Sequence, residues 1–90
     1  MRIVELAKRK HPRARNPLDE WVEVAELAEW QNIMEVRANW PSADWIKGTD
    51  LTCFNIGGNS YRLLAIVAYA RQEIMVREVL THAEYSKRYS

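Results

Sequence analysis

The sequence predicts a single α+β domain, residues 1–90, with two or three N-terminal helices packed on one face of a small antiparallel sheet. Two observations predict it. Apolar residues in the first half recur at helical spacing, and from Leu51 onward they fall into runs of strand-forming residues separated by short turns. A length of 90 residues with 48% hydrophobic content suffices for one core but leaves little room for a deep cavity.

The main helix is predicted between Asn16 and Trp30. Asn16 is placed to cap it, and Pro17 fits the first turn, where a missing N–H removes no helical hydrogen bond. An apolar stripe follows at helical spacing, formed by Leu18, Trp21, Val22, Ala25 and Ala28. The remaining surface of this helix falls largely to four glutamates, Glu20, Glu23, Glu26 and Glu29.

A second, shorter helix is predicted from Asn32 to Trp40. Asn32 and Glu35 have the spacing of a capping box, and Pro41 disfavours helical geometry at Trp40. The first eleven residues leave two alternatives open, a short strand at residues 2–4 or a helix over residues 3–10.

Three strands are predicted at residues 51–56, 61–69 and 74–80, joined by a glycine-rich turn at residues 57–59 and a polar turn at residues 70–72. They form an antiparallel meander. Side chains alternate along a strand, so if residues 63, 65 and 67 face the helices, Arg62 faces away from them. Arg77 is expected on that same open face, next to the inward-facing Val76.

Composition excludes several classes of protein. The single cysteine excludes an internal disulfide and a cysteine-based zinc site, and the two histidines lack the spacing of a metal-binding pair. No apolar run approaches the roughly 18 residues of a spanning helix, and basic residues follow rather than precede the N-terminal apolar ones, unlike in a secretory signal. We therefore expect a cytoplasmic protein that needs neither a metal nor a cofactor.

The net charge of +1 conceals a strong segregation of charge. Residues 1–15 hold six basic side chains and one acid, residues 16–50 hold eight acids and two bases, and residues 51–90 hold five bases and three acids. Such a chain can present a basic face to a polyanion, although solvated surface is the commoner explanation of charged runs.

The segment after the last strand, residues 81–89, is dense in side chains capable of chemistry. His82 can exchange a proton near neutral pH, and Tyr85 can donate a hydrogen bond or a proton. Arg62, Arg77, Lys87 and Arg88 can hold a phosphate. A histidine after a strand is nevertheless more often a structural residue.

Residues 10–88 carry motifs in the order found in one known family. These are His11-Pro12, Trp21, Trp30 with Asn32, Pro41-Ser42-Ala43-Asp44, the run Phe54–Asn59, Tyr61-Arg62-Leu63 and the run Thr81–Tyr85. The sequence thereby resembles the HigB-type toxins of bacterial toxin–antitoxin systems, within the RelE-like superfamily.

That resemblance implies a small α+β endoribonuclease that cleaves mRNA, commonly on the translating ribosome, by attack of the RNA's own 2′-hydroxyl on the adjacent phosphate. It also implies a HigA-type helix-turn-helix antitoxin as the partner. In such an enzyme we expect the catalytic residues to be Arg62, Arg77, His82 and Tyr85, and the RNA-binding residues to be Lys8, Arg9, Lys10, Arg13, Lys87 and Arg88.

Three departures from the family pattern bear on activity. The segment before His11 is short, which leaves its first strand absent or replaced by a helix. Ser60 and Ile66 stand where many members carry lysine, and Ser86 replaces a frequent aspartate. A weakened relative that only binds a ribosome or an antitoxin is the main alternative, and a DNA-associated protein with a basic N-terminus is the second.

Overall fold

The computed structural model describes residues 2–89. The helices are α1 (Arg2–Lys10), α2 (Arg15–Leu27), α3 (Ile33–Asn39) and α4 (His82–Tyr89), and the strands are β1 (Asp44–Trp45), β2 (Leu51–Ile56), β3 (Tyr61–Ala68) and β4 (Glu73–Thr81). Short 3-10 turns lie at Pro12–Ala14 and Tyr69–Arg71. The strands form one antiparallel sheet in the order β1-β2-β3-β4, which confirms the predicted α+β fold.

The main core lies between the three N-terminal helices and one face of the sheet, here called the front face. The ring of Trp21 in α2 meets that of Phe54 in β2 edge to face, with centroids 5.2 Å apart, and the ring of Trp30 stacks on Phe54 at 6.1 Å. Leu63 and Ala65 face this core, as the strand alternation predicts. Because apolar area removed from water contributes about 25 cal/mol per Å², these fully buried aromatic side chains supply a large part of the driving force for folding.

The opposite face of the sheet, here called the back face, holds a smaller cluster. Cys53, Leu64 and Leu80 are buried there beneath Tyr85 and Tyr89 of α4. The sequence analysis did not predict α4 or the two-residue strand β1. The presence of α4 explains why β3 carries apolar residues on both faces.

In the N-terminal half, the structure decides between the two alternatives for the first residues and corrects the predicted cap of α2. Residues 2–10 form a helix, the second of the two alternatives. The expected cap at Asn16 is wrong, because α2 begins at Arg15, directly after the Pro12–Ala14 turn, and its N-cap position is Ala14 with no side-chain bond. Asn16 is therefore already inside the helix. In α3, Asn32 does cap as predicted, with its Oδ1 accepting from the Glu35 N–H at 3.1 Å.

One irregularity interrupts the register between β3 and β4. Leu64 pairs with Glu78 and Ala65 pairs with Val76, so Arg77 is an extra residue with no partner on β3. This β-bulge changes the alternation of β4, since both Val76 and Val79 pack against the front core. Side chains after Arg77 therefore face the side of the sheet opposite to the one that regular alternation would give them. Within residues 2–89, no helix has the length and apolar character needed to cross a bilayer.

Candidate functional site

The candidate site lies at one end of the sheet, where β3 begins and β4 ends. Tyr61 pairs with Thr81 there, and Arg62 pairs with Leu80. The His82 N–H donates to the carbonyl of Ser60 at 2.9 Å, which ties the first residue of α4 to the glycine-rich turn before β3. The turn, the two strand ends and the helix N-terminus therefore meet at one place.

A capping box starts α4. The Glu84 N–H donates to Thr81 Oγ1 at 3.2 Å, and the Thr81 N–H donates to Glu84 Oε1 at 2.9 Å. The hydrogen bonds from Thr81 lower the pKa of the Glu84 carboxyl below its ordinary value of 4.5, and the nearby charges of Lys10 and His11 act in the same direction. The sequence contains this Thr-x-x-Glu signature at residues 81–84. Helix α4 was not predicted because these residues were interpreted only as candidates for chemistry.

Arg62 is the buried charge of the site, with only 8% of its surface exposed. Its Nη1 donates to the carbonyl oxygens of Asn59 and Tyr61 at 3.3 and 3.1 Å, and its Nη2 donates to Asn59 Oδ1 at 2.7 Å. All three acceptors are neutral, and no ion pair of Arg62 occurs within residues 2–89. Because a guanidinium has five N–H donors, two are left for a ligand.

Tyr85 covers Arg62 from α4. The guanidinium carbon lies 5.5 Å from the centre of the Tyr85 ring, within the range of a cation–π interaction. Tyr85 packs against the back-face cluster that contains the buried thiol of Cys53, and its ring lies 5.2 Å from that of Tyr89. Burial, reinforced by Cys53, raises the pKa of the Tyr85 hydroxyl above 10.0, so it keeps its proton at neutral pH.

The other two predicted catalytic residues are placed differently. His82 is exposed at the first position of α4, at the same end of the sheet as Arg62. Arg77 shares the back face, as predicted, but lies at the bulge, three residues before the Leu80 that pairs with Arg62. At 3.3 Å per residue this separates them by about 10 Å. The structure thus joins Arg62 with Tyr85, places His82 nearby, and sets Arg77 apart beside Asp50 and Ile66.

Comparison with known proteins adds the family. A family model described as the RelE-like toxic component of a toxin–antitoxin system, HigB toxin, matches residues 14–88. This chain belongs to the HigB toxin family. Relatives include the mRNA interferase toxin HigB of Escherichia coli K12 and the mRNA interferases HigB of Escherichia coli O157:H7 and Shigella flexneri. Each is 43% identical over 51 residues, which cover 56% of this chain and 49% of the relative, so the match spans about half of the relatives' length.

The HigB family match contains Arg62, Arg77, His82 and Tyr85, whereas the predicted RNA-binding residues Lys8, Arg9, Lys10 and Arg13 precede it. Lys8 is bound to Asp19 and, at 3.4 Å, to Glu5, and the bond to Asp19 raises its pKa above 10.5. Arg88 is bound to Glu78 at 2.5 Å. Arg9, Lys10, Arg13 and Lys87 are exposed and form no ion pair within the described part of the chain.

One histidine that the sequence analysis left without a role lies close to this HigB-family site. The ring of His11, which follows α1, lies 5.1 Å from the ring of Tyr61, the first residue of β3. The charges of His11 and Lys10 contribute to lowering the pKa of the Glu84 carboxyl at the start of α4. Only the family motif His11-Pro12 offered a signal for it in the sequence. Within residues 2–89, no group of three His, Cys, Asp or Glu side chains is arranged to hold a metal ion.

Proposed function

We propose that this chain is an mRNA interferase, a metal-independent endoribonuclease that acts in the cytoplasm on mRNA being translated on the ribosome and is restrained by a HigA-type antitoxin. Membership of the HigB family and similarity to the mRNA interferase HigB of E. coli support this proposal. A bound ribosome would also hold the substrate, which suits a chain whose described depressions are shallow and open.

The proposed reaction is an intramolecular transesterification. The 2′-oxygen forms a bond to phosphorus, the bond from phosphorus to the 5′-oxygen breaks, and the products are a 2′,3′-cyclic phosphate and a 5′-hydroxyl. One proton leaves the 2′-hydroxyl and one reaches the 5′-oxygen. Catalysis therefore needs a proton acceptor, a proton donor and positive charge near the phosphate.

Within this proposal, His82 transfers the proton because it is the exposed imidazole at the site. Arg62 stabilises the charge on the phosphate through its two remaining donors. Tyr85 orients Arg62 by lying over the guanidinium. Arg77 and the exposed basic residues, together with Lys8 and Arg88 if they exchange their carboxylate partners for phosphate, contact the neighbouring RNA backbone.

The buried guanidinium of Arg62 is the observation that carries the proposal. A charge removed from water without an opposite charge is costly, and such groups concentrate at sites that bind or transform a charged ligand. Arg62 is buried among neutral acceptors, beside an exposed histidine and at the end of the sheet nearest the basic end of α1. An anionic ligand such as a phosphodiester would compensate it.

The test is cleavage of a defined mRNA by the purified chain, with and without translating ribosomes, followed by analysis of the RNA ends. We expect 2′,3′-cyclic phosphate ends and a loss of about 100-fold or more in Arg62→Lys and His82→Ala. Arg71→Lys is the matched control, because Arg71 is an exposed arginine at the opposite end of the hairpin. Full activity of folded Arg62→Lys and His82→Ala variants would refute the assignment.

A second candidate function is a catalytically weak family member that binds the ribosome or the antitoxin. It is favoured by the three hydrogen bonds that hold Arg62 to its own turn, and by Ser60 and Ile66 at positions where many members have lysine. Ribosome binding and growth arrest without any RNA cleavage, unchanged in His82→Ala, would establish this alternative.

A further inference from the structure

The end of the sheet opposite the candidate site carries an apolar groove. It has a volume of about 180 Å³ and is formed by the C-terminal end of α2 and by the turn between β3 and β4. Ala25 and Trp30 are its buried floor, and Val67, Tyr69 and Ile74 line it on the sheet side. Since a cavity of about 150 Å³ holds a benzene ring, the groove has room for one leucine or phenylalanine side chain.

The groove is held open by specific contacts. Gln72 lies in the left-handed region with φ of 54°, which is uncommon outside glycine. Its Nε2 donates to the carbonyl oxygens of Trp30 and Tyr69 at 2.7 and 2.8 Å, and so joins the hairpin turn to the segment after α2. The groove is therefore preformed, which lowers the entropic cost of binding a partner.

The charge around the groove is acidic. Glu26 and Glu73 line it, and Glu23 and Glu29 flank it along α2 and its extension. Among residues 2–89, Glu23, Glu26 and Glu29 form no ion pair, and only Glu73 has one, a 3.5 Å contact with the exposed Arg71. The last turn of α2 contains no basic residue, although this end of a helix is the one that favours cations.

Leu27 lies in the chain between Glu26 and Ala28, which line the groove, but does not line it itself. It is the last residue of α2 and is 86% exposed, more than any other large hydrophobic side chain of residues 2–89. An RNA backbone would be repelled by the acidic surroundings, whereas a protein segment with basic residues around one apolar side chain complements both the charge and the shape.

We propose that this groove is the docking site for a basic segment of the antitoxin, which inserts one apolar side chain between Trp30 and Ile74. The proposal rests on membership of a toxin–antitoxin family and not on the nuclease activity. The groove and the candidate site lie at opposite ends of β3, an eight-residue strand, about 23 Å apart. The antitoxin thus gains a contact that leaves Arg62 and His82 uncovered.

The test measures binding of the purified cognate antitoxin to the full chain by calorimetry at low and high salt. We expect Glu26→Lys and Leu27→Asp each to weaken binding by about tenfold or more, and wild-type affinity to fall as salt rises. Glu20→Lys is the matched control, because Glu20 lies on the same helix but does not line the groove. In cells, both groove variants should still arrest growth but resist rescue by the antitoxin.

Three results would overturn the proposal. The first is wild-type affinity in both Glu26→Lys and Leu27→Asp. The second is an equal loss in Glu20→Lys, which would indicate a general effect of charge rather than this groove. The third is self-association of the chain that Leu27→Asp abolishes while antitoxin binding is kept, which would assign the groove to a second copy. Because Leu27 is almost fully exposed and lies next to the groove-lining Glu26, its variant tests the surface around the groove even if Glu26→Lys perturbs folding.

Discussion

The guanidinium carbon of Arg62 lies 5.5 Å from the centre of the Tyr85 ring, although Arg62 is the second residue of β3 and Tyr85 lies in the middle of α4. This contact makes α4 part of the candidate site rather than a tail beside it. Tyr85 also contacts Cys53 and Tyr89, so the position of the buried charge depends on how α4 is seated on the back face.

Asn59 is expected to position Arg62. Asn59→Ala removes the 2.7 Å bond to Nη2, which should lower the free energy of unfolding by about 1 kcal/mol and reduce RNA binding, because the guanidinium loses its orientation. Asn59→Asp should keep the stability but weaken RNA binding, since a carboxylate would neutralise the charge. Urea unfolding and RNA titration measure the two effects.

Ser60→Ala is the control for this prediction, because it changes the same turn without removing a bond to Arg62. The idea fails if Asn59→Asp binds RNA as tightly as the wild type.

The capping box of α4 should give the helix a pH dependence. The folded state lowers the pKa of Glu84, so the ionised carboxylate stabilises the helix above its ordinary value of 4.5, and this stabilisation is lost as the pH falls below 4.5 through the folded pKa. Circular dichroism from pH 7 to pH 2 should show the loss, and Glu84→Gln should remove this component. An unchanged acid profile in Glu84→Gln would contradict the prediction.

Thr81→Ala removes the other half of the same capping box. Because the Thr81 hydroxyl accepts the Glu84 N–H, its loss should cost about 1 kcal/mol at neutral pH, measured by thermal or urea unfolding. Thr81→Ser, which keeps the hydroxyl, is expected to retain most of that stability. Equal stability of the alanine and serine variants would argue against the cap.

The reactivity of the Cys53 thiol should show whether α4 is packed on the back face. The thiol is 4% exposed, and burial raises its pKa above 9.0, so Ellman's reagent should react with it far more slowly in the folded chain than in urea. Tyr85→Ala should accelerate the reaction by uncovering the thiol. Tyr85→Phe keeps the ring and should remain slow, and fast labelling of this variant would show that the hydroxyl rather than the packing protects Cys53.

The turn before β3 should depend on the backbone freedom of Gly58. Its φ is +66°, and an added Cβ would meet no atom within 4 Å, so the cost of a side chain is conformational rather than steric. We expect Gly58→Ala to lose about 1 kcal/mol of unfolding free energy and Gly58→Asn to lose less, because asparagine tolerates the left-handed region. Urea unfolding at neutral pH compares the two, and equal losses would contradict the explanation.

The parts of the fold with regular side-chain periodicity could be predicted from the sequence. The helical stripe of α2 and the alternation in β3 assigned Trp21, Leu63 and Arg62 to their correct sides. Strand β1 is too short to produce a pattern, and α4 was missed because its tyrosines were considered only as chemical groups. Where α2 begins also depends on the preceding turn, Pro12–Ala14, which no periodicity reveals.

The candidate site was predictable as a set of residue types but not as an arrangement. Sequence reasoning placed Arg62 and Arg77 on one face correctly, yet it could not measure the distance between them along the strands. It also could not foresee that Arg62 is buried, because burial follows from α4 lying over the back face. The proximity of His11 to Tyr61 likewise depends on how α1 packs against β4.

The unpaired Arg77 shifts the phase of everything that follows it in the chain. If Arg77 instead paired in register with β3, regular alternation from Val76 would turn Leu80 toward the helices and Val79 toward the back face. The final helix would then leave the sheet in the wrong direction and lose its apolar seat. A single supernumerary amino acid therefore decides which side of the sheet receives the final helix.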